Sequence, residues 1–380
     1  MGRKANRIIQ GIALAVIILT TGTAYATELT AQDSTMSQTD QLKKLIDEGI
    51  NIKIGTRQLR LMGYAQSTYN VMDVNHRHTN ELAIQRVILM AQANLTDRLG
   101  FFLMADVAST DSKKHMHEYY AQYEFMPELK VRIGQFKQPF MLENIIPPTL
   151  LGNIQMNEAT LYETAIATDS LQGNTVGRDA GVMLTGDLFP ARDGHRQLNY
   201  SVGVFNGVGM NTKENNSQKD FIGMVNYLPI KDITISTSFI LGTGHALTND
   251  IYSSIRKDED YSRRRWSIGT EMKLKPLLLR SEYVQGWNKS TRSRAFYIES
   301  WVHLWKGLDL VLDYDYLNKN VDLSREQQAA LPLFTETHNY MVGLQYWVYR
   351  QCRVSTQFVL KDRRTGPDIH QWITQFQIAF

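Results

Sequence analysis

Two histidine pairs, His76/His78 and His115/His117, have a His-x-His spacing that could bring imidazoles together on a borderline metal such as zinc or copper. No acid at ligand spacing accompanies them, so two polar loops that happen to contain His-x-His are the better reading, and no metal is expected. Cys352, the single cysteine, can form neither an internal disulfide nor a multi-cysteine zinc site. The nucleophile elbow G-x-S-x-G, the phosphate loop, the dinucleotide G-x-G-x-x-G and the zinc-protease H-E-x-x-H are all missing. An enzyme is therefore not expected, nor is a cofactor. The cluster Arg263-Arg264-Arg265 follows the acidic run Asp258-Glu259-Asp260. It could attract lipopolysaccharide phosphates, although charge marking the membrane edge of a strand explains it more simply.

Fixed charges can also filter or orient a passing solute. Which charges do so depends on the face each occupies, and therefore on the elements that carry them. The dominant pattern along the chain is alternation. Tyr340, Val342, Leu344, Tyr346 and Val348 share one face of a run whose other face is Asn339, Met341, Gly343, Gln345 and Trp347. Val87, Leu89, Ala91 and Ala93 alternate in the same way with Arg86, Ile88, Met90 and Gln92, and Leu308 to Tyr316 alternate with Asp309, Val311, Asp313 and Asp315. Period two is the signature of two-faced β-strands. About sixteen such runs, from 58–70 to 370–380, give an even count that suits a barrel.

Parity sorts the charges. Arg60, Arg86, Lys130, Arg132, Arg265, Lys273, Arg280, Arg353 and Lys361 fall on one face, with Asp106, Glu118, Glu124, Glu271, Glu282, Glu299, Asp309, Asp313 and Asp315. Aromatic side chains, among them Tyr119, Tyr123, Tyr227, Trp266, Tyr340, Trp372 and Phe380, crowd the other. An apolar, aromatic-rimmed exterior around a charged interior describes a membrane barrel better than a soluble sandwich. Arg86 and Arg132 on the early strands would then face acids near 299–315. The two lists are equally long, so the interior is expected to be balanced.

The first 26 residues read as a secretory signal peptide. Arg3, Lys4 and Arg7 precede an apolar stretch from Ile8 to Leu19, and Ala24-Tyr25-Ala26 is a small-x-small cleavage site. Of the 41 Lys and Arg residues, these three lie in the leader, which leaves 38 bases against 38 acids from Thr27 onward. The formal charge of +3 thus belongs to the leader. Residues 27–57 are expected to form a periplasmic N-terminal segment, with a short amphipathic helix over 38–48, and 58–380 the barrel. No later window reaches the roughly 20 apolar residues of a helical span. Tight turns at 96–99, 127–128, 229–232, 275–276, 306–307 and 349–350 alternate with long polar loops after the first, third, fifth, seventh, ninth and thirteenth strands. Short turns on one side and long loops on the other are the pattern of bacterial outer-membrane barrels.

The segment Val131-Arg132-Ile133-Gly134-Gln135-Phe136-Lys137-Gln138-Pro139-Phe140 resembles the signature of the phosphate-selective porin O and P family. Leu95-Thr96-Asp97, Phe101 to Asp106, Arg178 to Val182 and Leu198 to Gly207 support the resemblance in order along the chain. It implies a sixteen-stranded all-β barrel, a homotrimer, and a long third loop, here Met141 to Gly177, folded into the lumen as a constriction. The last strand, ending in Phe380, is similar to the signal read by the barrel assembly machinery; outer-membrane lipid and lipopolysaccharide are the other expected partners, and nucleic acid is not one. The family's phosphate selectivity is attributed to luminal lysines and arginines at the constriction. Here residues 138–177 contain neither, but carry Glu143, Glu158, Glu163 and Asp169. The expected filter is therefore Arg86, Lys130, Arg132, Lys137 and Arg178 on the cationic side, with those four acids on the loop. The expected function is passive diffusion of small hydrophilic solutes, anions such as phosphate among them. The alternative is a closed outer-membrane barrel acting as a receptor or assembly component.

Overall fold

The computed structural model describes residues 49–380 except 56, 112–113, 168, 170, 173–174, 251–252, 331–335 and 365. The leader and the helix expected over 38–48 lie outside the described residues. Seventeen strands form one antiparallel sheet. In chain order they are β1 (Ile50–Ile54), β2 (Arg57–Val74), β3 (Arg77–Asn94), β4 (Leu99–Asp106), β5 (Met116–Met126), β6 (Leu129–Lys137), β7 (Arg178–Pro190), β8 (Arg196–Phe205) and β9 (Asp220–Ile230). There follow β10 (Ile233–His245), β11 (Asp260–Leu274), β12 (Leu277–Asn288), β13 (Thr291–Trp305), β14 (Leu308–Asn318), β15 (Glu336–Tyr349), β16 (Cys352–Arg363) and β17 (Ile369–Ala379). Each strand from β2 onward pairs with its successor, and β17 pairs with β2 from Val74 opposite Ile369 to Tyr64 opposite Ala379, which closes a sixteen-stranded barrel. Closure leaves no free edge to template aggregation. Phe380 extends the seam by exchanging backbone bonds with Gly63, at 3.0 and 3.1 Å. No helix among the described residues is long and apolar enough to cross a membrane.

The alternation read from the sequence sets which side chains point inward. Along β11, buried and exposed residues alternate strictly from Asp260 to Gly269, because even-numbered residues face lipid and odd-numbered ones the interior. Leu89, Ile133, Val182, Phe221, Ile268, Val342 and Phe376 are exposed on the outer surface. In a barrel this apolar surface is the lipid face.

Two features depart from the expected layout. Residues 71–81, expected as a long loop, are instead the ends of two 18-residue strands joined by a turn at Asn75 and His76, both at positive φ (51° and 64°). That backbone matches the right-handed twist of a hairpin. The segment is polar because it projects above β4, whose pairing with β3 stops at Ile88 opposite Asp106. Beyond the membrane a strand needs no apolar face, so the periodic signal vanishes while the ladder continues. The second departure is β1, within the segment expected to precede the barrel, which forms a hairpin with the start of β2.

The interior is filled unevenly. Inward side chains of β11 to β17 are mostly buried, whereas Met90, Gln92, Phe102, Gln122, Arg132 and Ser201 on β3 to β8 are only half-buried. The material covering the late wall is the connection from 138 to 177. It carries α1 (Leu142–Ile145) and α2 (Glu158–Glu163). An apolar cluster of Phe136, Phe140, Met141, Tyr162, Phe205, Ile222, Val284, Tyr297 and Leu317 cements it inside the barrel.

Candidate pore and constriction

The segment from 131 to 140 launches the connection into the lumen, and each residue type has a local reason. Gly134 lies at φ 137°, where a Cβ would stand 2.2 Å from the Tyr119 carbonyl oxygen, so only glycine lets β5 and β6 approach this closely. Gln135 is buried and its amide donates to the Met116 and His117 carbonyls, both at 3.0 Å. Phe136 and Phe140 enter the luminal apolar cluster. The Lys137 ammonium donates to the carbonyls of Asn144 (2.6 Å) and Ile146 (2.9 Å), at the end of α1, where a cation meets otherwise unsatisfied acceptors.

From there the loop is tied to the opposite wall by its own backbone N–H groups. Leu142 donates to Glu282 of β12 (2.9 Å), and Met141 to the Ser238 hydroxyl of β10 (3.1 Å). Gly152 and Asn153 donate to one oxygen of Glu299 of β13, at 2.9 and 3.2 Å, while its other oxygen accepts from Arg280 at 2.7 Å. Ile154 donates to Gln357 of β16 (2.9 Å), and Glu158 to Asp315 of β14 (3.2 Å). Gly152 is required here by proximity: a Cβ would sit 2.0 Å from the Trp301 indole nitrogen. The inward acids of β12 to β14 therefore serve as acceptors for a loop that has no secondary-structure ladder of its own.

The four loop acids also find partners on the loop itself or on the late wall. Glu163 is fully buried, 2.9 Å from Arg265 of β11, and accepts from Ser293 at 2.6 Å; Asp169 meets the same guanidinium at 3.3 Å. Glu158 pairs with Lys361 of β16 at 2.8 Å. Burial alone would push Glu158 up, but that ammonium outweighs it and holds the carboxyl below its ordinary range. Glu143 is fully buried and accepts from the backbone and side-chain N–H groups of Asn157 at 3.1 to 3.3 Å. Burial, reinforced by the neighbouring Glu299 carboxylate, pushes its pKa up to about 8.

Between the loop and the early wall, β2 to β9, lies a cavity of about 390 Å³. Its charged lining is Arg132, Lys137 and Arg178 against Glu118 alone. Arg178 and Glu118 pair at 2.9 Å. The Arg132 guanidinium donates to Gln122 (2.8 and 3.0 Å) and lies 4.1 Å from the centre of the Tyr120 ring. The lining is otherwise largely apolar, with Met62, Met90, Met104, Met183 and Met224, the rings of Tyr64, Phe102 and Tyr120, and Pro139, Ile145, Pro147 and Pro148 from the loop.

The expected residues thus separate into groups. Arg132, Lys137 and Arg178 share one cavity. Arg86, on β3 opposite Gln66, hydrogen-bonds the Tyr64 side chain at its margin. Lys130 belongs elsewhere: it sits at the short-turn rim, 3.1 Å from Asp187 and 3.6 Å from Glu124. Glu143, Glu158, Glu163 and Asp169 face the far wall. The equality of the inward charge lists does not carry over to the cavity, because Glu282, Glu299 and Asp315 are committed to the loop and Glu271 and Asp309 to side chains of the late strands. The sequence reading missed the aromatic and methionine lining, although Phe102, Tyr120, Met90 and Met104 have inward parity. It also missed Glu282, Glu299 and Gln357 as loop acceptors; their signal was a polar group at mid-strand on the inner face. His117 is half-buried on β5, while His76 lies at the tip of the β2–β3 hairpin.

Residues 59–222 match the model of the family described as phosphate-selective porin O and P. No curated protein sequence matches the chain. Among solved structures, the barrel is similar to the anion-selective porin of Comamonas acidovorans, with a TM-score of 0.64 at 10% identity over 85% of this chain and 100% of that one. It is also similar to the outer-membrane channel DcaP of Acinetobacter baumannii, with a TM-score of 0.60 at 11% identity over 87% and 99%. The in-vitro folded OmpT of Vibrio cholerae, described in a trimer form, gives a TM-score of 0.58 at 10% identity over 86% and 100%. At such identities the likeness establishes the fold, and the family match covers the first half of the barrel. The signature's Gly134, Gln135 and Lys137 lie within the matched residues. The chain folds as a sixteen-stranded β-barrel like those of bacterial outer-membrane porins, and its residues 59–222 match the phosphate-selective porin O and P family.

Proposed function

We propose that this barrel is a passive diffusion channel for small hydrophilic solutes with a preference for anions, and that Arg132, Lys137 and Arg178 are its filter, with Arg86 beside them. The observation that carries the reading is the cation excess of the cavity, three to one, while the loop acids are paired or buried against the opposite wall. A unit charge at 4 Å is worth about 1 kcal/mol even in bulk water and about 4 at an effective dielectric of 20. An unbalanced pair of cations, screened by salt, then favours chloride over potassium on the order of tenfold. The Comamonas porin, described as anion-selective, lends fold-level support. No covalent chemistry is assigned to any residue. Homotrimeric assembly and recognition of the Phe380 strand by the assembly machinery belong to the same proposal, with lipid and lipopolysaccharide around the exposed apolar belt.

A shut barrel is the competing reading, and the apolar cluster inside the lumen favours it. Planar bilayers separate the two. Stepwise openings in potassium chloride, threefold if trimers insert, support the channel; a barrel that inserts without conductance overturns it.

A further inference from the structure

The cavity's lining carries the substrate class one step further, resting on the reading of this space as the conducting path. We propose that the preferred solute is an organic anion with an apolar, ring-bearing body, of which an aromatic carboxylate is the simplest example, and not hydrated inorganic phosphate.

Phosphate would have to exchange its water shell for donors, as filters of this kind require. The cationic side chains spend much of their donor capacity on the protein itself, although Gln92, Ser201 and Asn226 also line the space. Arg178 spends its guanidinium on Glu118 and on the Val176 carbonyl at 3.0 Å. Lys137 gives two of its three protons to loop carbonyls. Arg132 commits Nε and one Nη2 proton to Gln122, leaving the second Nη2 proton and both on Nη1. A multiply charged oxyanion would therefore have to compete with protein acceptors for the cationic donors, whereas a single carboxylate asks for fewer of them.

The rest of the surface offers thioethers and rings, which solvate apolar matter. Phe102 and Tyr120 stack with centroids 5.3 Å apart and planes at 29°, and Arg132 lies on the Tyr120 face. Methionine sulfur packs well on aromatic edges and its side chain adapts to varied shapes. A carboxylate directed to Arg132 and Lys137 would leave its ring against this surface. One end of such a solute needs few donors, and the other sheds water favourably.

Bi-ionic potentials in planar bilayers test the assignment, with potassium benzoate or potassium phosphate opposite potassium chloride. Benzoate is expected to be at least fivefold more permeable than phosphate and to reduce chloride current at millimolar concentration. In F102Q the benzoate-to-phosphate ratio is expected to fall severalfold; should that variant fail to insert, M183Q provides the same readout. Phosphate permeating as well as benzoate, with chloride current unaffected by benzoate, would overturn the inference and leave the channel standing. No conductance in any of the three salts would overturn the channel itself.

Discussion

Arg265 is the single residue on which the sequestration of loop acids depends most. Its guanidinium lies 2.9 Å from Glu163 and 3.3 Å from Asp169, and all three side chains are almost completely buried. Replacing it with methionine keeps the bulk and removes the charge, which leaves two carboxylates in a site built for a cation. Removing one partner of a buried pair typically costs about 3–5 kcal/mol. The strand ladders of β11 are untouched, so the cost falls on the docking of the loop. At about 1.4 kcal/mol per decade, release of the loop around Glu163 and Asp169 becomes roughly a hundred- to several thousandfold more frequent. Freed acids would then share the lumen with Arg132, Lys137 and Arg178. R265M should therefore show noisier current and a zero-current potential in a potassium chloride gradient shifted toward cation selectivity. The triple variant R265M/E163Q/D169N should recover both properties, and heat-modifiable migration on a gel verifies that each variant is folded. Wild-type noise and potential in folded R265M would refute the reasoning.

Two further expectations concern how the loop is held. The pKa of Glu143 is raised to about 8, so the docked loop binds a proton more tightly than a released loop with the ordinary carboxyl value of 4.5. Docking is then fully supported below about pH 4.5 and weakens as pH rises toward 8, so current noise should grow across that window; E143Q should be quiet throughout, and equal pH profiles would reject the assignment. G152A places a methyl within 2.4 Å of Glu299 and closer still to Trp301. It should displace the loop and raise both conductance and noise, whereas unchanged single-channel steps would mean that the Gly152 region does not set the passage.

The fold was legible because a membrane barrel imposes period two over most of its length. Sixteen strands could be placed to within a few residues, with β11 and β15 alternating cleanly. Legibility failed where the membrane stops acting: the polar tops of β2 and β3 at Asn75 and His76, and β1 below the seam. The site was half legible. Composition alone revealed that 138–177 lacks basic residues and holds four acids. The direction of those acids was not, because a loop has no period and their partners, Arg265 and Lys361, lie about 100 and 200 residues away in sequence. Lys130 had inward parity but stands too near the β5–β6 turn to filter anything. Parity gives a residue's face, whereas its height along the barrel and the loop opposite it decide what it touches.

The central claim is that the passage is cationic because the constriction loop's acids are held on the other wall. The zero-current potential of the wild-type channel in a tenfold potassium chloride gradient at pH 7 tests it most directly. A potential of the sign set by chloride, reduced in R132A, is predicted. A potential of the sign set by potassium would contradict the account.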